Sequence, residues 1–323
     1  MNKYVDEMLT HLIILLDDTS PSYCHYEVSS KKRRLIRLDD LKSGILFAMK
    51  ENLNVQFVYP NYALPEEYVE TIEMIDHTKI KPESISDDAD VISITNWKEE
   101  ITEVVNMNNH TCIIRANRKE IIDNRERLKN ILGKAARLNV VLTDVIDFSD
   151  NDIDEYKSLL SNFADDILAI LNTGKNVQMN LLTDRIMLDE MNNCNAGVNN
   201  VTLAPNGKFY LCPAFYYDNP QDDIGDIKIG LIIKNQQLLR LDHAPICRNC
   251  DAFQCKRCIW LNDKLTLDKN TPSHQQCVMA HLERNASSDF VERLNDNGIK
   301  LSNTYKIEKV TELDPFNIVN RWK

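Results

Sequence analysis

Six short apolar runs alternate with helix-length amphipathic segments up to about residue 190, and no other feature of the chain restricts its fold as strongly. The runs are "HLIILLD" (11–17), "NVQFVY" (54–59), "DVISIT" (90–95), "TCIIRA" (111–116), "NVVLTDV" (139–145) and "NVQMNLL" (176–182). They are rich in Val and Ile and nearly continuous in apolar character, as strands covered on both faces are. The stretches between them have helical spacing. Leu41, Ile45, Ala48 and Met49 share one face after Asp39 and Asp40, and Asn117 caps a helix whose apolar face is Ile121, Leu128, Leu132 and Ala135. A third helix runs from Ser149 through Ile153, Tyr156, Leu160, Phe163, Ile167 and Leu171 and stops at Gly174. One more is expected between the third and fourth runs. Such alternation argues for an α/β fold, a parallel sheet with helical crossovers. Six units suit a partial (β/α)6 barrel; an open doubly wound sheet is the competing topology.

Near residue 190 the texture changes. "NNVTLAPNGKFYLC" holds two strand-like runs around Pro205, Asn206 and Gly207, a hairpin signal. A helix is expected from about Pro272 to Leu294, and the tail from Ile299 to Lys323 has no readable pattern. The domain reading is therefore 1–190 for the α/β part and 191–323 for a cysteine-rich part.

Seven of the nine cysteines fall in that second part: Cys194, Cys212, Cys247, Cys250, Cys255, Cys258 and Cys277. Whether they point to disulfides or to metal depends on the compartment. The N-terminus lacks a basic start, apolar block and small-residue cleavage site, and no apolar run approaches the ~20 residues of a membrane span. A cytoplasmic location without membrane contact is expected, where structural disulfides are rare. A net charge of −11 also argues against a nucleic-acid partner, and the basic run "KKRRLIR" (31–37) reads as a solvated turn.

The dense cluster "CRNCDAFQCKRC" (247–258) spaces its cysteines as Cys-x2-Cys-x4-Cys-x2-Cys. A Cys-x2-Cys turn folds back and brings two sulfurs to one metal centre. Thiolates are soft ligands that select zinc or iron–sulfur clusters, and ligand identity alone does not separate these. A thioredoxin-like redox pair would need a neighbouring βαβ unit, whereas this cluster follows a hairpin. Cys24, beside His25 after the first strand run, is a weak candidate nucleophile. Cys112 lies within a strand run and reads as packing. His274 stands at ligand spacing from Cys277, but His274 and His281 both read as surface residues. Phe209, Tyr210, Phe215, Tyr216 and Tyr217 read as core.

The order of these cysteines resembles the SPASM domain, the C-terminal extension of many radical S-adenosylmethionine enzymes that mature ribosomal peptides. "CNAGVNNVTLAPNGKFYLC" matches its first half, with Cys194 and Gly207-x4-Cys212; the middle has x4 and x2 where the family usually has x5 and x3. The resemblance implies two auxiliary 4Fe–4S clusters. Cys247, Cys250, Cys255 and Cys277 would hold one completely, and Cys194, Cys212 and Cys258 would give three ligands to the other. Stretches such as "LAPNGKFYLCPAFY" and "APICRNCDAFQCKRCIWLN" are similar to the CXXX-repeat peptide maturases and those of grasp-with-spasm systems.

Radical S-adenosylmethionine enzymes share a partial (β/α)6 barrel, with Cys-x3-Cys-x2-Cys after the first strand. Here that loop has only Cys24. The resemblance thus implies a radical-enzyme scaffold that does not itself cleave S-adenosylmethionine. The expected function is an iron–sulfur protein of a ribosomal-peptide maturation system. Its partners would be a cysteine-containing precursor peptide and a separate modifying enzyme. A thiol-handling enzyme using the open cluster site or Cys24, and a structural zinc docking module, are the alternatives.

Overall fold

The computed structural model describes residues 9–28, 32–98, 107, 110–301 and 303–308. From the N-terminus come β1 (His11–Leu15), α1 (Leu38–Lys50), β2 (Asn54–Val58), α2 (Glu66–Ile72), β3 (His77–Pro82) and β4 (Val91–Ile94). Then follow β5 (Thr111–Ala116), α3 (Arg118–Asp123), α4 (Arg125–Lys134), β6 (Arg137–Leu142), α5 (Ile153–Leu171), β7 (Gln178–Met179) and α6 (Asp184–Met187). The remainder is β8 (Asn200–Leu203), β9 (Phe209–Tyr210), α7 (Pro213–Asp218), β10 (Gly225–Asp226), β11 (Gly230–Leu231), α8 (Ile259–Thr266) and α9 (His274–Asp296). The protein is a mixed α/β structure, and no described helix is long and apolar enough to cross a membrane.

The first five apolar runs each contain a strand; the sixth forms only the two-residue β7. β3 was not expected. Its sequence, HTKIKP, is broken by lysines that the fold pairs with acids, Lys79 with Glu73 and Asp88, and Lys81 with Asp88. The helix expected between the third and fourth runs lies outside the described residues. The helix after Asn117 does begin with a capping box, Asn117 with Glu120, but it divides at Asn124, whose backbone leaves helical geometry. Met49, expected on the apolar face of α1, is exposed; Leu41, Gly44, Ile45 and Ala48 make the buried stripe.

The chain forms two compact units. The first is Met1–Thr95, Ile101–Asn106 and Asn195–His243. Its strand order is β4-β3-β2-β1-β8-β9. All pairs are parallel except β8–β9, the expected hairpin. Gly207 turns that hairpin at φ +77°, a left-handed conformation that favours glycine. Leu12, Ile14, Ile45, Phe57, Leu203 and Phe209 lie in its core. The helix α1 seats against β8 at Gly44, where a Cβ would stand 2.4 Å from Leu203 Cδ2.

The second unit is Asn96–Glu100, Met107–Cys194 and Ala244–Lys323. It holds the parallel order β5-β6-β7 and packs α5 against α9. Arg293 on α9 donates to Asp165 (2.8 Å) and Ser161 Oγ (2.7 Å) on α5. Ser273 caps α9 by accepting from the Gln276 amide, and the Gln276 side chain answers the Ser273 amide. Ser273→Ala removes one half of this box, and thermal or urea unfolding is expected to show a loss of about 1 kcal/mol.

Candidate metal centre

The second unit brings four cysteines to one place. A short helical turn, Cys247–Asn249, directs the chain so that the Cys250 amide donates to the Cys247 carbonyl (3.1 Å). Two residues further on, the Ala252 amide lies 3.4 Å from Cys250 Sγ. The pattern repeats at the second pair, where the Arg257 amide lies 3.4 Å from Cys255 Sγ. Arg257 takes φ +41°, a left-handed conformation that costs about 1 kcal/mol for a residue with a Cβ. That turn is what aims its amide at sulfur. The fourth cysteine comes from α9, which presents Cys277, His281 and Arg284 at i, i+4 and i+7 along one face.

Cys247, Cys250, Cys255 and Cys277 line a common cavity with Met191, Ala252, Arg257, Ala280 and His281. His281 Nε2 lies 3.3 Å from Cys250 Sγ. The histidine is buried, against its reading as a surface residue, and His274 is the exposed one. Burial pushes the Cys247 thiol up to about 11 and the Cys255 thiol up to about 12, and raises Cys250 as well. These thiols are neutral near pH 7 on their own, and a metal that binds them displaces their protons.

Cations answer the burial. Arg257 lowers the Cys247 thiol, and Arg284 and Arg185 lower Cys250. All three are buried, at 3% for Arg257, 1% for Arg284 and 3% for Arg185. Arg284 donates to Asp251 Oδ1 (2.6 Å) and the Glu308 carbonyl (3.1 Å). Arg185 donates to the Asp251 carbonyl (2.7 Å) and stacks over Phe253 (4.5 Å).

The donor set fits a thiolate-bound metal group: four soft ligands, two amide–sulfur contacts and a ring nitrogen. The enclosed space is about 20 Å³, room for roughly one water. Among the described residues no three His, Cys, Asp or Glu stand close enough to hold an ion as they are. A single ion requires the thiols to close in, and a cubane cluster requires them to swing outward.

The other sequence candidates lie elsewhere. Cys194 is exposed, and its amide reaches the Lys256 carbonyl at 3.5 Å; Cys258 is buried at the start of α8. Cys212, at the start of α7, belongs to the first unit. Cys24 is partly buried in the loop after β1, its amide 3.3 Å from Ser22 Oγ. Cys24 and Cys212 both stand near enough to Tyr26 to raise its hydroxyl, after burial. Cys112 is buried in β5, its thiol pushed up to about 12. Phe209, Tyr210, Phe215 and Tyr216 are buried.

The chain matches no family model and no curated protein. It is similar in structure to anSMEcpe carrying a hexahistidine tag, with bound AdoMet, at TM-score 0.61 and 14% identity over 90% of this chain and 100% of that one. Native anSMEcpe with bound AdoMet and Cp18Cys peptide gives 0.59 and 14%, over 89% and 99%. The corresponding complex with Kp18Cys peptide gives 0.57 and 13%, over 88% and 99%. At such identity the likeness is one of fold alone.

One acid beside the thiols titrates near neutrality. Burial pushes Glu283 up to about 7, even though Tyr156 donates to it at 2.7 Å. The folded state therefore keeps a proton that the unfolded chain releases near pH 4.5, and stability falls as pH rises from there through 7. Glu283→Gln removes the charge. It is expected to raise stability at pH 8 by on the order of 2 kcal/mol and leave it nearly unchanged at pH 5, as thermal melts at both pH values can test.

Proposed function

We propose that this chain is an iron–sulfur protein of a ribosomal-peptide maturation system, one that binds the precursor peptide or the enzyme that modifies it. The observation that carries this reading is the convergence of Cys247, Cys250, Cys255 and Cys277 on one cavity flanked by buried cations. Soft thiols in a water-poor, positively charged setting suit a centre made of thiolate and metal. The peptide half of the reading draws support from fold, since two similar structures hold peptides, Cp18Cys and Kp18Cys.

In this reading residues 1–190 form the partial (β/α)6 barrel and residues 191–323 a SPASM-type domain. Cys247, Cys250, Cys255 and Cys277 hold one cluster, and Cys194, Cys212 and Cys258 give three ligands to a second. A bound cluster supplies one-electron chemistry. The chain's own residues hold it by four sulfurs, exclude water and offset its charge. The small size of the cavity favours a second reading, a structural zinc site used for docking, because an ion needs less room than a cubane.

Three measurements test this. Anaerobically purified protein should contain iron and acid-labile sulfide in equal amounts; zinc alone would select the second reading. Cys250→Ala should lose metal from the first site and lower the melting temperature sharply, since a closed thiolate site contributes on the order of 10 kcal/mol to a small zinc domain. Unchanged metal content and melting in that variant would show the four-ligand assignment to be wrong. The reduced, reconstituted protein should release no 5′-deoxyadenosine from S-adenosylmethionine, because the loop after β1 has one cysteine where three are required.

A further inference from the structure

Beside its buried stripe, α1 carries a second apolar face. Leu46, Phe47 and Lys50 share it at helical spacing, and they line a groove in the first unit. Much of the remaining lining comes from the β10–β11 ribbon, with Lys228, Ile229 and Leu231. The groove has a volume of about 1110 Å³, more than the roughly 300–1,000 Å³ of a small-molecule pocket. Phe47 and Leu231 are packed on the core of the unit and give the groove a firm floor. Leu46 and Ile229 are left in water, at 63% and 66% exposed. Apolar side chains grouped in this way on a surface mark a site of interaction.

Charge narrows the choice of occupant. The chain has a net charge of −11, yet the groove is lined by Lys50, Lys228 and Arg240 against a single acid, Glu51. Asp242 holds Arg240, at 3.0 and 3.2 Å, so the positive character rests on the two exposed lysines. Asp226, the acid beside Lys228 in the ribbon, is engaged in its own turn. It accepts from the Lys228 and Ile229 amides at 2.7 and 3.0 Å. An apolar groove edged by cations on an acidic chain selects an anionic partner over a neutral or basic one.

The ribbon specifies the partner's conformation. β10 and β11 form a two-stranded sheet, so among the described residues one edge of β11 has no strand beside it. The Ile232 amide donates to the Ile224 carbonyl at 2.6 Å. Alternate residues of an antiparallel pair face alternate sides, so Leu231 turns its backbone groups to the open edge. Such an edge takes up an extended segment by strand addition. We propose that this groove binds an extended acidic peptide, whose aliphatic side chains cover Leu46 and Ile229 and whose carboxylates meet Lys50 and Lys228. The proposal goes beyond the reading above. Its groove lies wholly in the first unit and the four cysteines in the second, so either can fail without the other.

The probe is a short fluorescent peptide that alternates leucine with glutamate, and its control alternates leucine with lysine. By anisotropy with the full chain at low salt, the glutamate peptide should bind at least tenfold tighter than the control, and added salt should weaken it. Lys50→Glu combined with Lys228→Glu should weaken the glutamate peptide at least tenfold and turn the preference towards the lysine peptide. Ile229→Ser should cost at least threefold while the melting temperature stays in place. Hydrogen exchange at the Leu231 amide should slow when peptide is bound. Equal affinity for the two peptides, or an unchanged affinity in the charge-reversed variant, overturns the proposal. So does a tenfold gain on deleting residues 1–8, which would give the groove to those residues themselves. Dimerisation that Ile229→Ser abolishes while peptide binding is untouched would give it to a second copy, and overturns the proposal as well. Should Lys50→Glu disturb the end of α1, Lys228→Glu alone carries an expected loss of at least threefold, and its absence is equally decisive.

Discussion

A parallel strand pair cannot be closed by a tight turn, and that constraint organises the first unit. The central strand β1 hydrogen-bonds in parallel to β2 on one side and to β8 on the other. Its first neighbour arrives through the crossover α1, but the second is not made until Asn200–Leu203. The apolar run at the start of the chain therefore waits for the hairpin near Gly207 before both of its edges are satisfied. The same hairpin leads through Cys212 into α7, so the strand that completes the sheet also sets where that helix starts.

In the second unit the governing term is charge in a poor dielectric. Cys247, Cys250 and Cys255, which burial drives upward, are each accompanied by a guanidinium or an amide that favours the ionised form. Amides alone would suffice to orient sulfur, since the Ala252 and Arg257 contacts already do so. Guanidinium groups add something different: a fixed positive potential that neutral thiols cannot use and thiolates can. The left-handed Arg257 concentrates both effects in one residue, its amide at Cys255 and its side chain at the cavity wall.

Much of this scaffold is legible in the sequence because parallel strands and capped helices leave periodic marks. "HLIIL", "NVQFV" and "TCIIRA" read directly, as do the box at Asn117 and Glu120 and the turn at Gly207. β3 escaped because its inward and edge positions carry Lys79 and Lys81, whose charge is answered by Glu73 and Asp88 from other elements. No local pattern announces a lysine that the fold will bury over Tyr59. Asn124 is a weak helix former, a mark of the break between α3 and α4 that periodicity alone overrides. The burial of Arg185 and Arg284 was illegible for the same reason as β3: arginine is usually solvated, and only their meeting at Asp251 reveals otherwise. The one available signal was on α9, where His281 and Arg284 follow Cys277 at i+4 and i+7.

The loop after β1 supplies the last step. In a sheet of this kind the carboxyl end of a strand is where a ligand is usually held, and here that place is filled by the protein's own side chains. Asp17 takes Thr19 and Tyr62, and Asp18 takes Tyr216 and Arg34. Tyr26 stacks on Tyr217 with ring centroids 5.2 Å apart. Ser22 ties the loop to itself through the Tyr26 carbonyl at 2.6 Å. Four tyrosines and two aspartates thus pack the described part of this loop. Cys24 in this loop is tied to Ser22, whose Oγ donates to its carbonyl at 3.1 Å and accepts from its amide at 3.3 Å. Among the described residues Cys247, Cys250, Cys255 and Cys277 line one cavity. Arg257 lines the same cavity, and Arg185 and Arg284 meet beside it at Asp251.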